Sequence, residues 1–194
     1  GMDLSGGEIF QSLLPFFKGN HNLYEVWVIS CELGDDGPLQ FSLALRACSK
    51  SLKSVRFTNS QMRRGAHLGC EGFIEALSMH PQIERLAFPN MSIGRNECRD
   101  LSNLLRMSIT GLHTLNLNYN RIDDEGVDAL VDDLSIGALQ NFDLSINPNI
   151  TARGWQRLAA LLEHPNSNLE VLNLSSNNVG NEGALIFANA LASN

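Results

Sequence analysis

The nine residues Leu112 to Asn120, LHTLNLNYN, set a pattern that recurs along the chain, and a recurring pattern limits the fold more tightly than any other sequence feature. Aligned on the first apolar position, the units start at Leu23, Leu52, Ile83, Leu112, Leu139 and Leu169, in steps of 29, 31, 29, 27 and 30 residues. Each unit carries apolar residues three and five places on: Val26 and Val28, Val55 and Phe57, Leu86 and Phe88, Leu115 and Leu117, Phe142 and Leu144, Leu172 and Leu174. That alternation is the signature of a short strand with one buried face. The spacing predicts strands near residues 25–28, 54–57, 85–88, 114–117, 141–144 and 171–174.

The eighth place after each start holds Cys31, Ser60, Met91, Asn120, Asn147 or Asn177. An Asn in a buried turn donates its amide to backbone carbonyls that the turn leaves unpaired, and a Cys does so more weakly. Cys31, Asn120, Asn147 and Asn177 therefore read as a structural ladder. Met91 cannot donate, so its turn must be satisfied in another way. Beyond the ladder come an apolar residue (Leu33, Met62, Ile93, Ile122, Ile150, Val179) and a turn often containing Gly (Gly37, Gly126, Gly154, Gly183). A run of helical spacing follows, such as GVDALVDDL or GALIFANAL.

An unbroken repeat over 194 residues makes one continuous solenoid rather than two domains. Residues 1–22 precede the first unit, and Ile9, Phe10, Leu13, Leu14, Phe16 and Phe17 give them the character of a partial repeat whose helix caps the first coil. Residues 23–194 are the six repeats. The second unit is irregular, with a longer turn, MRRGAHLGCEG, and a short helix, FIEALSMHP. The fifth carries an extra residue in NPNI. The last helix is followed by no polar cap, which reads as a fragment of a longer array with exposed terminal repeats open to end-to-end self-association.

The net charge is −7, with nine Lys/Arg against ten Asp/Glu in residues 1–97 and five against eleven in residues 98–194. Such a surface disfavours nucleic acid and anionic membranes, both of which need basic patches. Cys31, Cys48, Cys70 and Cys98 are spaced too widely for a CxxC site, and buried reduced thiols fit a cytoplasmic or nuclear setting. Triplets of the glycosylation type start at Asn90, Asn149 and Asn173, as chance produces in Asn/Ser-rich repeats.

There is no GxxxxGK[ST] loop, HExxH or GxSxG elbow, and the five His are scattered, so no catalytic residues, cofactor or metal are assigned and the chain reads as a non-enzyme. His80 and His164 each precede a Pro and read as helix exits. The acidic run Asp123, Asp124, Glu125, Asp128, Asp132, Asp133 lacks calcium-loop spacing. Asp123 and Asp124 read instead as caps of the helix that follows, with Asp128, Asp132 and Asp133 on its solvent side.

Strands pack about 4.8 Å apart whereas helices are about 10 Å across, so a stack of such units bends with its strands inside. The residues two and four places after each start then face the concavity. Among them, Trp27, Arg56 and Arg85 make an aromatic and basic patch in the first half, while Asn116, Asp143 and Asn173 make the second half amide-rich and acidic. Tyr119 stands at the rim. Trp and Arg are favoured at binding hot spots. The bland alternative is that Trp27 packs under the N-terminal segment and the two Arg side chains merely solvate the sheet.

The units LHTLNLNYNRIDDEGVDALVDDL and LEVLNLSSNNVGNEGALIFANAL resemble the ribonuclease-inhibitor-like class of leucine-rich repeats over residues 23–194, most closely in the last three units. The resemblance implies a right-handed α/β solenoid, a curved horseshoe with parallel strands on its concave face and helices on its convex face. It also implies protein–protein interaction as the function, the partner protein being bound on the concave face. Regulation of a small GTPase and actin binding are alternatives that the same class accommodates.

Overall fold

The computed structural model describes residues 15–18, 21–29, 37–48, 50–58, 72–109, 111–134 and 138–193. Strands β1 (Glu25–Ile29), β2 (Ser54–Thr58), β3 (Arg85–Ala87), β4 (Thr114–Asn116), β5 (Asn141–Asp143) and β6 (Val171–Asn173) alternate with six helices. These are α1 (Gly37–Ala47), α2 (Phe73–Ser78), α3 (Arg95–Met107), α4 (Asp124–Leu134), α5 (Ala152–Glu163) and α6 (Gly180–Ser193). The strands form one open sheet in sequence order, every neighbouring pair parallel. The expected strand positions hold, and from β3 onward each strand is one residue shorter than its pattern.

Register converts the repeat into rows. Val26, Val55, Leu86, Leu115, Phe142 and Leu172 stand side by side on the helix-facing side. The inner four of them, from Val55 to Phe142, are fully or almost fully buried. In the N-terminal half the core is aromatic: Phe41 stacks on Phe57 at 4.7 Å, and Phe73 touches Phe41, Phe57 and Phe88 at 5.6 to 5.9 Å. Phe17 joins this core while Phe16 stays exposed. The rest of the expected N-terminal cap, like Cys31 and the long turn of the second unit, lies outside the described residues.

The Asn ladder is present and runs between coils. Asn120 donates Nδ2 to Leu117 O and Asn118 O in its own turn and to Phe88 O in the preceding coil, while its Oδ1 accepts from Met91 N and Ile93 N. This answers how the Met91 turn is satisfied: the amide comes from the next coil. Asn147 repeats the arrangement, donating to Leu117 O, Leu144 O and Ser145 O and accepting from Ile122 N. Asn177 donates to Leu144 O and Leu174 O and accepts from Asn147 N. Immediately before the ladder positions of the last four units the backbone is left-handed, with φ of 56° at Asn90, 55° at Tyr119, 56° at Ile146 and 58° at Ser176.

On the convex side, the capping role read for the acidic run divides between two helices. Asp123 caps α4 through Gly126 N at 3.0 Å. Asp124, however, caps α5 of the following coil: its carboxylate accepts from Thr151 N, Thr151 Oγ1 and Gly154 N at 2.8, 2.6 and 3.1 Å. Asp128 and Asp132 are not simply solvated; Arg157 bridges both, and Arg153 binds Asp128. His80 is buried after α2 and donates Nε2–H to Leu45 O at 2.9 Å, tying the helix exit to the preceding coil. In the sixth coil Leu172, Leu174 and Phe187 are only partly covered and Leu191 is 63% exposed, whereas Leu117 and Leu144 are fully buried.

Candidate concave binding face

Two rows of side chains project from the strand face. Glu25, Ser54, Arg85, Thr114, Asn141 and Val171 form one, and Trp27, Arg56, Ala87, Asn116, Asp143 and Asn173 form the other. The parity of the repeat dictates this, since side chains two apart on a strand share a face. Every residue assigned to the face from the sequence lies on one of these rows, except Tyr119, which sits in the turn beyond β4.

In the N-terminal half, Trp27 is 60% exposed, so it is not a core side chain. Ile29, two residues further along β1, is 44% exposed. The register partner of Trp27 is Arg56, whose Nε is buried and lacks a hydrogen-bond partner among the described residues. A buried polar atom left unpaired is costly. Arg85 behaves differently. It crosses Ser54 on β2, which is buried, and pairs with Glu25 on β1 at 2.5 Å. The basic character of the patch thus rests on Arg56 more than on Arg85. At the entrance to the strands, Lys53 binds Glu84 at 2.7 Å, and this bond holds the Glu84 carboxyl below its ordinary range.

In the C-terminal half, Thr114, Asn116, Asn141, Asp143, Val171 and Asn173 line a shallow depression of about 240 Å³. Asn116 donates Nδ2 to Asp143 Oδ2 at 3.3 Å. Each strand-ending side chain in the row also closes its own turn: Asn116 Oδ1 accepts from Asn118 N, Asp143 Oδ1 from Ser145 N, and Asn173 Oδ1 from Ser175 N. These are Asx turns, so the residues on the strand face also fix where the chain leaves the sheet. Tyr119 is 56% and Ile146 37% exposed.

Sequence reasoning placed the rows but missed Glu25 as the answer to Arg85 and Ile146 as an exposed apolar group. Both had a signal. Glu25 and Arg85 hold the same place in their units, and Ile146 holds the place of Tyr119. Among the described residues, no group of three or more His, Cys, Asp or Glu is placed to hold a metal ion. Also among them, no helix is long and apolar enough to cross a membrane.

Comparison with known proteins follows the repeat. The family model "Leucine Rich repeat" matches residues 110–131 and 166–188, in the fourth and sixth units. The chain is 27% identical over 176 residues to mouse NACHT, LRR and PYD domains-containing protein 4E, covering 88% of this chain and 17% of that protein. It is 29% identical over 163 residues to mouse ribonuclease inhibitor, covering 84% of this chain and 33% of the inhibitor. The chain thus spans a third or less of these relatives. Among solved structures it is similar in fold to the tropomodulin C-terminal domain of Caenorhabditis elegans, with a TM-score of 0.56 and 16% identity over 96% of this chain and 92% of that one. The leiomodin-1 actin-binding site 2 structure gives 0.55 and 18%, over 95% and 88%.

Proposed function

We propose that this chain, a leucine-rich repeat protein of the ribonuclease-inhibitor-like class, acts as a protein–protein interaction module that binds its partner on the concave strand face. The observation that carries the reading is the pairing of Trp27 and Arg56. A large aromatic side chain stands in solvent beside a guanidinium whose Nε has no partner among the described residues. Aromatic and Arg anchors supply much of the affinity of protein interfaces, because an aromatic ring brings large contact area with little rotamer loss and Arg a planar fork of donors. The face runs from Trp27, Arg56 and Arg85 to Asn116, Asp143 and Asn173, with Tyr119 at the rim. A partner that fits presents acid to the first half and base or hydrogen-bond donors to the second. The module is not an enzyme and works in the cytoplasm or nucleus, where the buried free thiols Cys48 and Cys98 stay reduced.

The test is affinity capture with the intact chain, with Trp27→Ala plus Arg56→Glu, and with the helix-face control Arg99→Glu. A partner retained by the wild type and by the control, and lost from the double variant, supports the assignment. A partner lost only from the helix-face variant overturns it.

Actin is the first named partner to try, because the leiomodin-1 structure that shares this fold is an actin-binding site. Co-sedimentation with filaments decides it. Regulation of a small GTPase is the remaining alternative and is read by nucleotide hydrolysis in the presence of the chain. Self-association through the sixth coil belongs to the same proposal, with Leu185 and Leu191, each 63% exposed, as its contacts. Light scattering of Leu185→Glu and Leu191→Glu tests it, and an unchanged mass would reject that contact.

A further inference from the structure

The turns that end β4 and β5 carry side chains that folding does not call for. Tyr119 and Ile146 occupy left-handed backbone, where Asn, Asp or Gly is the comfortable choice, and a β-branched residue there is an outlier. The same place in neighbouring coils holds Asn90 and Ser176. What keeps the backbone in that shape is indifferent to the side chain. Tyr119 N donates to Ser145 O at 2.9 Å, Ile146 N donates to Ser175 O at 3.0 Å, and the ladder residues Asn120 and Asn147 brace the turn. Burial offsets the strain only in part, since Tyr119 is 56% and Ile146 37% exposed. A strained position retained for an exposed apolar side chain points outward, to a ligand.

Three residues before each of these stands a polar group of the depression, Asn116 before Tyr119 and Asp143 before Ile146. Three residues of chain span at most about 10 Å, so Tyr119 and Ile146 lie within reach of a side chain seated in the depression. Asp143 is its charge. On the helix face the carboxylates of Asp128 and Asp132 are answered by Arg153 and Arg157, but no Lys or Arg among the described residues pairs with Asp143. Its Oδ1 is committed to Ser145, while Oδ2 takes only the long bond from Asn116. Thr114 and Asn141 add further acceptor oxygens to the lining.

We propose that this depression seats an arginine side chain of a partner protein, with a neighbouring apolar residue of that partner resting on Tyr119 and Ile146. The inference rests on the concave-face reading and names the occupant of its C-terminal half. A guanidinium suits the site better than an ammonium. Its donors lie in one plane and can reach a carboxylate and an amide oxygen together, and its flat face can lie on the Tyr119 ring.

The probe is the capped tripeptide Leu-Arg-Leu, titrated to millimolar concentration into the whole chain and followed by two-dimensional NMR. The side-chain amides of Asn116, Asn141 and Asn173 and the backbone amides of residues 143–146 are expected to shift. Affinity should fall about tenfold or more with citrulline in place of Arg, and equally in Asp143→Asn. Tyr119→Asn with Ile146→Asn should weaken binding several-fold in a chain that stays folded. Arg99→Glu on the helix face should leave the peptide signal unchanged, and the absence of shifts in β1 and β2 separates this site from the N-terminal half of the face. Absent shifts, equal binding of the citrulline peptide, or shifts confined to β1 and β2 would overturn the proposal. Equal binding of Leu-Lys-Leu would overturn the guanidinium assignment.

Discussion

Gly154 presents its amide to the Asp124 carboxylate at 3.1 Å, and a Cβ added to Gly154 would lie 2.6 Å from the same oxygen and 2.5 Å from Ile150 Cγ2. The missing side chain is what lets one coil's carboxylate cap the next coil's helix. Gly→Ala substitution in a helix ordinarily stabilises by roughly 0.4 to 1 kcal/mol. Gly154→Ala should instead destabilise by about 2 kcal/mol or more, through the clash and the displaced cap. Gly111→Ala is the control, because nothing lies within 4 Å of its Cβ position, and it should be neutral or slightly stabilising. Urea midpoints of the two variants should therefore move in opposite directions or differ clearly in size.

The ladder predicts a graded series. Asn147 is fully buried and makes four side-chain bonds to the backbone of two coils, so Asn147→Ala should cost about 2 to 3 kcal/mol by leaving those groups buried and unpaired. Asn177 is only half-buried, so solvent can replace part of what its truncation removes. Equal losses for Asn147→Ala and Asn177→Ala in chemical denaturation would show that burial does not set the cost.

Ile146→Asn should change stability by no more than about 1 kcal/mol, because relief of the left-handed strain is offset by the loss of a side chain that is only 37% exposed. Thermal unfolding checks it. The same substitution should weaken the peptide binding proposed above, so affinity should fall without a matching loss of stability.

Strand order, register and the two faces were legible in the sequence because one apolar residue at every second place decides which way a strand turns. The ladder was legible for a similar reason, since an amide in a tight buried turn has few other uses. What the pattern did not show was how side chains reach across coils. Asp124 looks like a cap of its own helix because it stands at the start of that helix, yet its carboxylate bonds into the next coil. Arg85 looks like a free cation, yet its length lets it pass over the short Ser54 to Glu25. Local spacing fixes direction, whereas these pairings depend on reach between units that sequence distance hides. Ile146 was overlooked because an apolar residue before a ladder Asn resembles coil packing; only its exposure and φ set it apart.

The buried thiols give a pH dependence with a definite sign. Burial pushes the Cys48 thiol from 9.0 up to about 11, and it pushes Cys98 higher still, helped by Glu97 and Asp123. The folded chain keeps these protons in a range where the unfolded chain releases them. The stability they contribute is therefore complete below about pH 9 and is lost as pH rises through the folded values. Denaturation midpoints should fall between pH 9 and pH 11, and Cys48→Ala should reduce the fall. At pH 8 neither thiol should react with a disulfide reagent until the chain is unfolded.

The two concave arginines should separate once a protein partner is known. Arg56 has its Nε unpartnered among the described residues and stands beside the exposed Trp27, whereas Arg85 is already tied to Glu25. A partner's carboxylate gains most from the cation that has no internal competitor, because displacing Glu25 would return a carboxylate to the same surface. Arg56→Glu should therefore slow association strongly, with an effect that shrinks as salt screens the field over about 8 to 10 Å. Arg85→Glu should slow it less and should destabilise β1 slightly, by placing two carboxylates in one row. Trp27→Ala should act mainly on dissociation, with a loss of about 2 kcal/mol or more. Association and dissociation rates from surface plasmon resonance at two salt concentrations measure all three. If Arg85→Glu proves the more damaging charge reversal, the Arg85–Glu25 pair itself is what the partner recognises, and Arg56 is no more than a structural neighbour of Trp27.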